Sequence, residues 1–329
     1  MSRWYWTGLG RRLAVREFAA TDAGNIQLAG WLAGFGQVSD AGVEGTGSYG
    51  YRLARLLAGR GVQVWEVNCP DRSRRRRKGK SDPAGAENAA RAVLAGEATA
   101  VPKDRRGLVG ELRLPVLTGR SADKAPTQAS NQIKAFPAEA GDELRAGLHG
   151  LRKARSGRAR AALQPADGLR RVLAALGRRR LALDAEAREL EAQITALIKV
   201  HAPRLLARHG VGAVTAAQLL VTAGTNPERL RGDAALAALC GASPVQASSG
   251  KTRRHRLNRG GDRAANNALW VIAHVRTISD ARRRVFVATR TATGNSRREI
   301  MRMLQRYIAR ELYPLIIDAL RTATADGLT

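Results

Sequence analysis

Two groups of residues in this chain are spaced as phosphate chemistry would need them. The segment Ser243-Pro-Val-Gln-Ala-Ser-Ser-Gly-Lys-Thr-Arg-Arg-His-Arg-Leu-Asn-Arg-Gly-Gly-Asp262 gathers hydroxyls, glycines and cations. A serine hydroxyl attacking a phosphodiester needs cations to neutralise the crowded phosphate and a yielding backbone to approach it. Ser248 or Ser249, followed by Lys251, Arg253, Arg254, Arg256 and Arg259, meets both needs. A phosphate-binding loop without a nucleophile would need the same residues. The second group is acidic. Glu44 and Asp82 could share a Mg2+ ion, which takes hard oxygen ligands and leaves coordination sites for substrate phosphate. The alternative for these two is a surface acid and a helix cap.

Two further features point to phosphate. Asp71-Arg-Ser-Arg-Arg-Arg-Arg-Lys-Gly-Lys80 brings Arg74, Arg75, Arg76, Arg77, Lys78 and Lys80 just ahead of Asp82. Such a run is a solvated loop or a phosphate-facing one, and the adjacent acid favours the second. Leu205 to Leu220 has the spacing of helix, Gly210-Val-Gly212, helix. This is the helix-hairpin-helix pattern, in which glycines let backbone amides approach a phosphate, although a simple glycine turn between helices has the same spacing.

These groups must be held by folded elements, and the composition provides for them. The 329 residues carry 56 Lys plus Arg against 28 Asp plus Glu, a net charge of +28. The length suggests two domains. A hydrophobic fraction of 44% excludes disorder throughout, and aromatics at 4% favour Ala- and Leu-filled helices over a β-sandwich. The twofold excess of bases implies a polyanionic partner, nucleic acid first and a membrane surface second. Cys69 and Cys240 are too few for a disulfide framework or a zinc cluster, and the five histidines have no ligand spacing. The N-terminus lacks the apolar stretch of a signal peptide. The uncharged run from His209 to Pro227 is broken by glycines, so it is no membrane span and a cytosolic protein is expected.

The first part reads as α/β. Arg12 to Phe18 alternates like a strand, and Asp22 is placed to cap a helix through Ile26, Leu28, Trp31 and Leu32. Val38 to Val43 is a strand ending at Glu44. Gly45 to Gly50 is a turn, Leu53, Leu56 and Leu57 mark a helix, and Val62 to Val67 is a further strand. A parallel crossover unit binds ligands beyond the C-terminal ends of its strands, where Glu44 sits. From Asp167 onward, Leu169, Leu173, Leu176, Arg180, Leu183, Ala187, Leu190, Ile194 and Leu197 recur in steps of four and three. This is a heptad seam with Asp167 as N-cap and Pro203 beyond its end. A helix of about 50 Å reads as a coiled-coil spacer or dimerisation arm, the alternative being an amphipathic helix in a bundle. The last long helix opens on a Ser296–Glu299 capping box.

Four stretches carry a resemblance. Val43-Glu-Gly-Thr-Gly-Ser-Tyr-Gly50, Gly79-Lys-Ser-Asp-Pro83, Leu219-Leu-Val-Thr-Ala-Gly-Thr-Asn-Pro-Glu-Arg-Leu230, and Ala238-Leu-Cys-Gly-Ala-Ser-Pro244 continuing through Ser248–Asp262 closely resemble the insertion-sequence-110-type transposases, from about Gly8 to Tyr313. The resemblance implies an N-terminal RuvC-like (RNase H-like) domain with an Asp-Glu-Asp-Asp site, a coiled coil, and a C-terminal domain with a nucleophilic serine. It also implies recombination of DNA guided by a structured bridge RNA. The family's Glu falls on Glu44, its third acid on Asp82 and its serine on Ser249. The partners it implies are transposon-end and target DNA, a guide-type RNA, and further copies of the chain in a dimer or tetramer.

The departures are specific. Met1 to Thr7 holds no Asp, so the acid-bearing first strand of the family is expected to be missing, and the chain reads as N-terminally truncated. The fourth acid, three residues after Asp82, is replaced by Gly85, and Glu87 would point elsewhere on a helix. Pro115, Pro126 and Pro137 are expected to interrupt the long helices there, at about 3 kcal/mol each. The expected layout is a RuvC-like domain over 1–110, a helical or irregular connector over 111–166, a coiled coil over 167–202 and a helical transposase domain over 203–329. The expected function is a DNA transposase with an impaired acidic Mg2+ site. A catalytically inactive nucleic-acid-binding remnant is the alternative, and a Holliday-junction nuclease is a third reading that the Ser249 motif opposes.

Overall fold

The computed structural model describes residues 2–6, 10–67, 82–103, 107–135, 142–151, 153–246, 255–256, 258 and 260–325. The chain divides into two compact units, Met1–Lys103 and Asp104–Thr329.

In the first unit, β1 (Ser2–Trp6) pairs antiparallel with β2 (Arg12–Glu17), from Ser2 opposite Glu17 to Trp6 opposite Arg12. A strand therefore precedes β2, and its SRWYW holds no carboxylate. Helix α1 (Asp22–Ala33) is capped by Thr21 and not by Asp22: the Thr21 Oγ1 accepts from Gly24 N–H at 3.2 Å. Asp22 instead pairs with Arg52 at 2.9 Å. Then β3 (Asp40–Glu44), α2 (Tyr51–Ala58) and β4 (Gln63–Val67) form the parallel crossover, registered from Asp40 opposite Gln63 to Glu44 opposite Val67. Phe18, Leu28, Leu32, Val43, Leu53, Leu57 and Val64 make the core, and α3 (Asp82–Leu94) packs on β3.

The second unit is helical. Its elements are α4 (Gly107–Ala135), α5 (Asp142–Leu148), α6 (Lys153–Ala161), α7 (Gly168–His201), the single turn α8 (Pro203–Leu206), α9 (Ala213–Ala223), α10 (Asp233–Leu239), α11 (Arg263–Ser279), α12 (Ala281–Ala292) and α13 (Arg297–Ala325). Between α10 and α11, β5 (Val245–Gln246) pairs antiparallel with β6 (His255–Arg256). One core runs through Leu112, Ile194, Ile198, Leu205, Leu219, Leu220, Leu269, Ile272, Leu304, Ile308 and Leu312. The Ser296–Glu299 box forms: Ser296 N–H donates to Glu299 Oε2 at 2.8 Å and Glu299 N–H to Ser296 Oγ at 3.4 Å.

Helix α4 runs unbroken through Pro115 and Pro126, against the expected interruption. Its buried stripe of Leu108, Val109, Leu112 and Val116 packs on α7 and α9, and that burial outweighs the missing backbone bond. Pro137 lies outside the described residues. Helix α7 is capped as expected: Asp167 Oδ1 accepts from Arg170 N–H at 2.7 Å. Its seam is not free, however. Leu173 and Ile194 are fully buried, and α4 and α6 of the same chain cover the helix. Arg180, the discordant seam position, is bonded to Asp184 at 3.0 Å.

Candidate functional site

The acidic site is built by a strand and a helix whose repeats match. On β3, Gly42 and Glu44 face the same side, because alternate residues of a strand do. On α3, Gly85 and Ala89 lie one turn apart on one face. The two runs oppose each other. A Cβ on Gly42 would stand 2.6 Å from Ala89 O, and one on Gly85 would stand 3.2 Å from Glu44 Oε2. Glycine at position 42 is thus what lets α3 lie close on the strand, and that closeness brings position 85 against the Glu44 carboxylate. Glu44 is exposed at the strand end, where Gly45 (φ +67°) begins the turn and Gly50 N–H closes it on Gly45 O at 3.0 Å. Asp82 opens α3, but its side chain lies outside the described residues. Glu87 does point elsewhere and is paired with Arg91 at 2.9 Å.

Among the described residues the donor set falls short of a metal centre. No group of three His, Cys, Asp or Glu side chains that could hold an ion occurs among the described residues. Octahedral Mg2+ would find one described carboxylate, Glu44, at this place, and glycine at position 85 where a further ligand would reach the same ion.

The serine-bearing segment belongs to the second unit. Ser248, Ser249, Lys251, Arg253, Arg254 and Arg259 lie outside the described residues, as do Arg74, Arg75, Arg76, Arg77, Lys78 and Lys80 in the first unit. What is described is the mount. The β5–β6 pair holds Gln246 opposite His255, at the two ends of segment 247–254, and Arg256 on β6 is exposed. Below it, Gly261 sits so close to Gly241 that a Cβ would lie 2.2 Å from Gly241 N. Asp262 N–H donates to Leu239 O at 2.7 Å, and its carboxylate caps α11 through Ala264 N–H (2.7 Å) and Ala265 N–H (3.2 Å). The other carboxylate oxygen accepts from Thr222 Oγ1 at 2.9 Å, which in turn accepts from the buried Gln218 amide at 3.0 Å. Asn266 Nδ2 donates to Cys240 O at 3.0 Å, and Gln305 Nε2 to Asn266 O at 2.9 Å. This network joins segments far apart in the chain and is not legible from their local patterns. The Gly-Gly-Asp run before an apolar helix signals the N-cap alone.

The Gly210-Val-Gly212 turn differs from expectation in one part. The helix ahead of it is only the single turn of α8, because Ala202 and Pro203 break the chain from α7. Gly210 has φ +77°, and a Cβ there would meet Arg276 Cγ at 3.2 Å and Ile272 O at 3.3 Å, so this glycine serves packing on α11. Gly212 N–H is taken by Thr215 Oγ1 at 3.0 Å. Arg276, 5% exposed in its side chain, donates to His209 O at 2.7 Å and to both Glu311 oxygens at 2.7 and 3.0 Å. These guanidinium bonds hold the Glu311 carboxyl below the usual glutamate range, although burial acts the other way. No helix among the described residues is long and apolar enough to cross a membrane.

Comparison with known proteins addresses both units. Residues 7–136 match a transposase model of the Asp-Glu-Asp-Asp type associated with IS110. Residues 202–288, from the Gly210 turn past the β5–β6 hairpin into α12, match the transposase IS116/IS110/IS902 family. A Streptomyces coelicolor protein, the "insertion element IS110 uncharacterized 43.6 kDa protein", is 32% identical over 140 residues, which is 42% of this chain and 34% of that protein. The chain thus aligns with about a third of that relative's length. With one transposase match on the acidic unit and a second on the serine-bearing unit, the chain belongs to the IS110-type transposase family.

Proposed function

We propose that the chain is a DNA transposase acting as a site-specific recombinase of an insertion sequence, with Ser249 as nucleophile and an acidic site at Glu44 and Asp82 that is impaired. The supporting observation is the pairing of Glu44 with position 85: a Cβ there would stand 3.2 Å from the Glu44 carboxylate, and the residue is glycine. Asp-Glu-Asp-Asp transposases typically use a divalent metal, consistent with Mg2+; here Glu44 and Asp82 are the residues offered to it, too few for tight binding. No step is therefore routed through the ion.

The chemistry assigned to the second unit is transesterification. The Ser249 hydroxyl gives up its proton as its oxygen bonds to a phosphodiester phosphorus, the bond to the departing sugar oxygen breaks, and that oxygen takes up one proton, so the step balances. The phosphoseryl link conserves the bond for rejoining to another strand, so no external energy source is required. Lys251, Arg253, Arg254, Arg256 and Arg259 would neutralise the phosphate, and the Asp262–Thr222 anchor fixes the base of the segment. Arg74, Arg75, Arg76, Arg77, Lys78 and Lys80 would bind a phosphate backbone in the first unit, beside Asp82 in sequence.

DNA is the substrate, a guide-type RNA and further copies of the chain are the proposed partners, and the RuvC-like fold is the proposed parentage of the first unit. The mostly helical fold with a small parallel sheet is compatible with that parentage. A catalytically inactive nucleic-acid-binding remnant is the second reading, favoured by the same glycine at position 85.

Strand exchange on transposon-end DNA with Mg2+ or Mn2+ separates the two. The impaired transposase gives slow exchange that Ser249→Ala abolishes. Exchange unaffected by Ser249→Ala would overturn the serine assignment. Salt-sensitive DNA binding with no exchange would establish the remnant.

A further inference from the structure

A further strongly one-sided charge lies apart from the Arg74–Lys80 run and the serine segment. Between residues 152 and 180 there are ten Lys or Arg and a single acid, Asp167. Just beyond, between residues 184 and 191, there are four acids (Asp184, Glu186, Glu189 and Glu191) and one base, Arg188. A merely solvated helix interleaves its signs. Here the two signs are separated along α7, and the cations gather at the tip where α6 turns back into α7.

The geometry of that tip is set by two glycines. A Cβ on Gly177 would stand 2.5 Å from Ala161 N and 2.7 Å from Gly157 O, and one on Gly157 would meet Leu181 Cδ2 at 3.2 Å. As α6 is followed from Ala161 back to Gly157, its partner moves from Gly177 on to Leu181, so the helices are antiparallel and nearly touching. With about 100° per residue, this contact line determines the sides of the hairpin. Leu169, Leu176 and Leu183 turn to one side, half-buried. Arg158 of α6 and Arg171 and Arg178 of α7 turn to the other, all exposed, with Arg155 at its margin. Arg158 and Arg178 stand level, and Arg171 is two turns away, about 10 Å along the helix. None of these four is in an ion pair among the described residues, whereas Arg170 and Arg180 are paired with Asp167 and Asp184.

We infer that the arginine side of the α6–α7 hairpin, Arg158, Arg171 and Arg178, is a binding surface for the phosphate backbone of duplex nucleic acid, separate from the serine segment and the acidic site. A rigid helical hairpin fits a backbone better than base edges. Its guanidinium forks suit phosphate oxygens, and spacings fixed by two helices position without reading sequence. The surface rests on the transposase reading for its ligand class, and both DNA and a structured RNA present that backbone.

The test uses the full chain and three probes: a DNA duplex, an RNA stem-loop of the same stem sequence, and phosphatidylserine vesicles. The variant is Arg158→Gln, Arg171→Gln and Arg178→Gln together. The three side chains are exposed, so helical content and Tm should match wild type. Affinity for DNA, RNA or both should fall about tenfold or more, and the slope of log affinity against log salt should flatten by about 2–3, as loss of three phosphate contacts requires. Loss confined to RNA assigns the surface to the guide, and loss confined to DNA assigns it to the transposon or target. Unchanged binding and slope for both nucleic acids would overturn the inference, as would an equal loss from Arg188→Gln or a loss confined to vesicles. If wild type itself binds neither nucleic acid, the transposase reading fails as well. If wild type binds and the variant does not differ, only the hairpin assignment falls.

Discussion

At the scale of single residues, position 85 carries the most information. A Cβ at this position would stand 3.2 Å from Glu44 Oε2, so a carboxylate there would share an ion with Glu44 instead of dangling in solvent. Gly85→Asp should therefore strengthen Mn2+ binding by about tenfold, the worth of roughly 1.4 kcal/mol from one added ligand, as read by titration calorimetry. No gain would show that α3 does not hold position 85 at the ion. Glu311 is the second informative residue. Its carboxyl lies below the usual glutamate range chiefly through the hydrogen bonds from Arg276. A depressed folded pKa means that its stabilisation is present above the ordinary glutamate value, about 4.3, and is lost as pH falls through the folded value. Glu311→Gln should cost about 1–2 kcal/mol at pH 7, less than a fully buried pair because the carboxylate side chain is 34% exposed. The variant should also lose stability less steeply than wild type below about pH 5. Equal acid slopes in Tm would refute this assignment.

At the scale of elements, the α6–α7 hairpin shows how small residues and charge divide the work. Gly157 and Gly177 let the two backbones meet, and the price is a buried cation. Arg160 is 4% exposed, its Nε has no partner among the described residues, and its Nη1 donates to Ser156 O at 3.1 Å. Burial lowers its pKa. Because removing a buried charge that lacks an acid relieves desolvation, Arg160→Met should leave stability unchanged or raise it by about 1 kcal/mol. A Tm several degrees lower would show that the Ser156 bonds are worth more than the desolvation they accompany. The prolines of α4 belong to this same scale. Pro115 sits inside α4 because Leu112 and Val116 on either side are buried against other helices, and tertiary burial overrides local helix propensity.

At the scale of the whole molecule, the net charge of +28 and the regular periodicities were legible from the chain alone. The β3–α2–β4 crossover and the capped ends of α7 and α13 were also legible. All of these rest on local rules: alternation, seam spacing, and a side-chain oxygen near a free N–H. The motifs around Glu44 and the serine segment marked the family because they are contiguous in sequence. What the sequence left open depends on contacts between distant segments. The leucine seam gave no sign that α4 and α6 cover it, since a heptad stripe fits an intrachain neighbour as well as a second copy. No local pattern marks glycines 42, 177 and 261, and only the tertiary structure shows each one admitting a neighbouring backbone too close for a Cβ. The sequence by itself therefore determined the elements, the charge and the chemical inventory. The fold decided which side of each element meets a neighbour, and so that Gly85 faces Glu44 and that three arginines share one face, because burial and close approach act across the chain and leave no local periodicity to read.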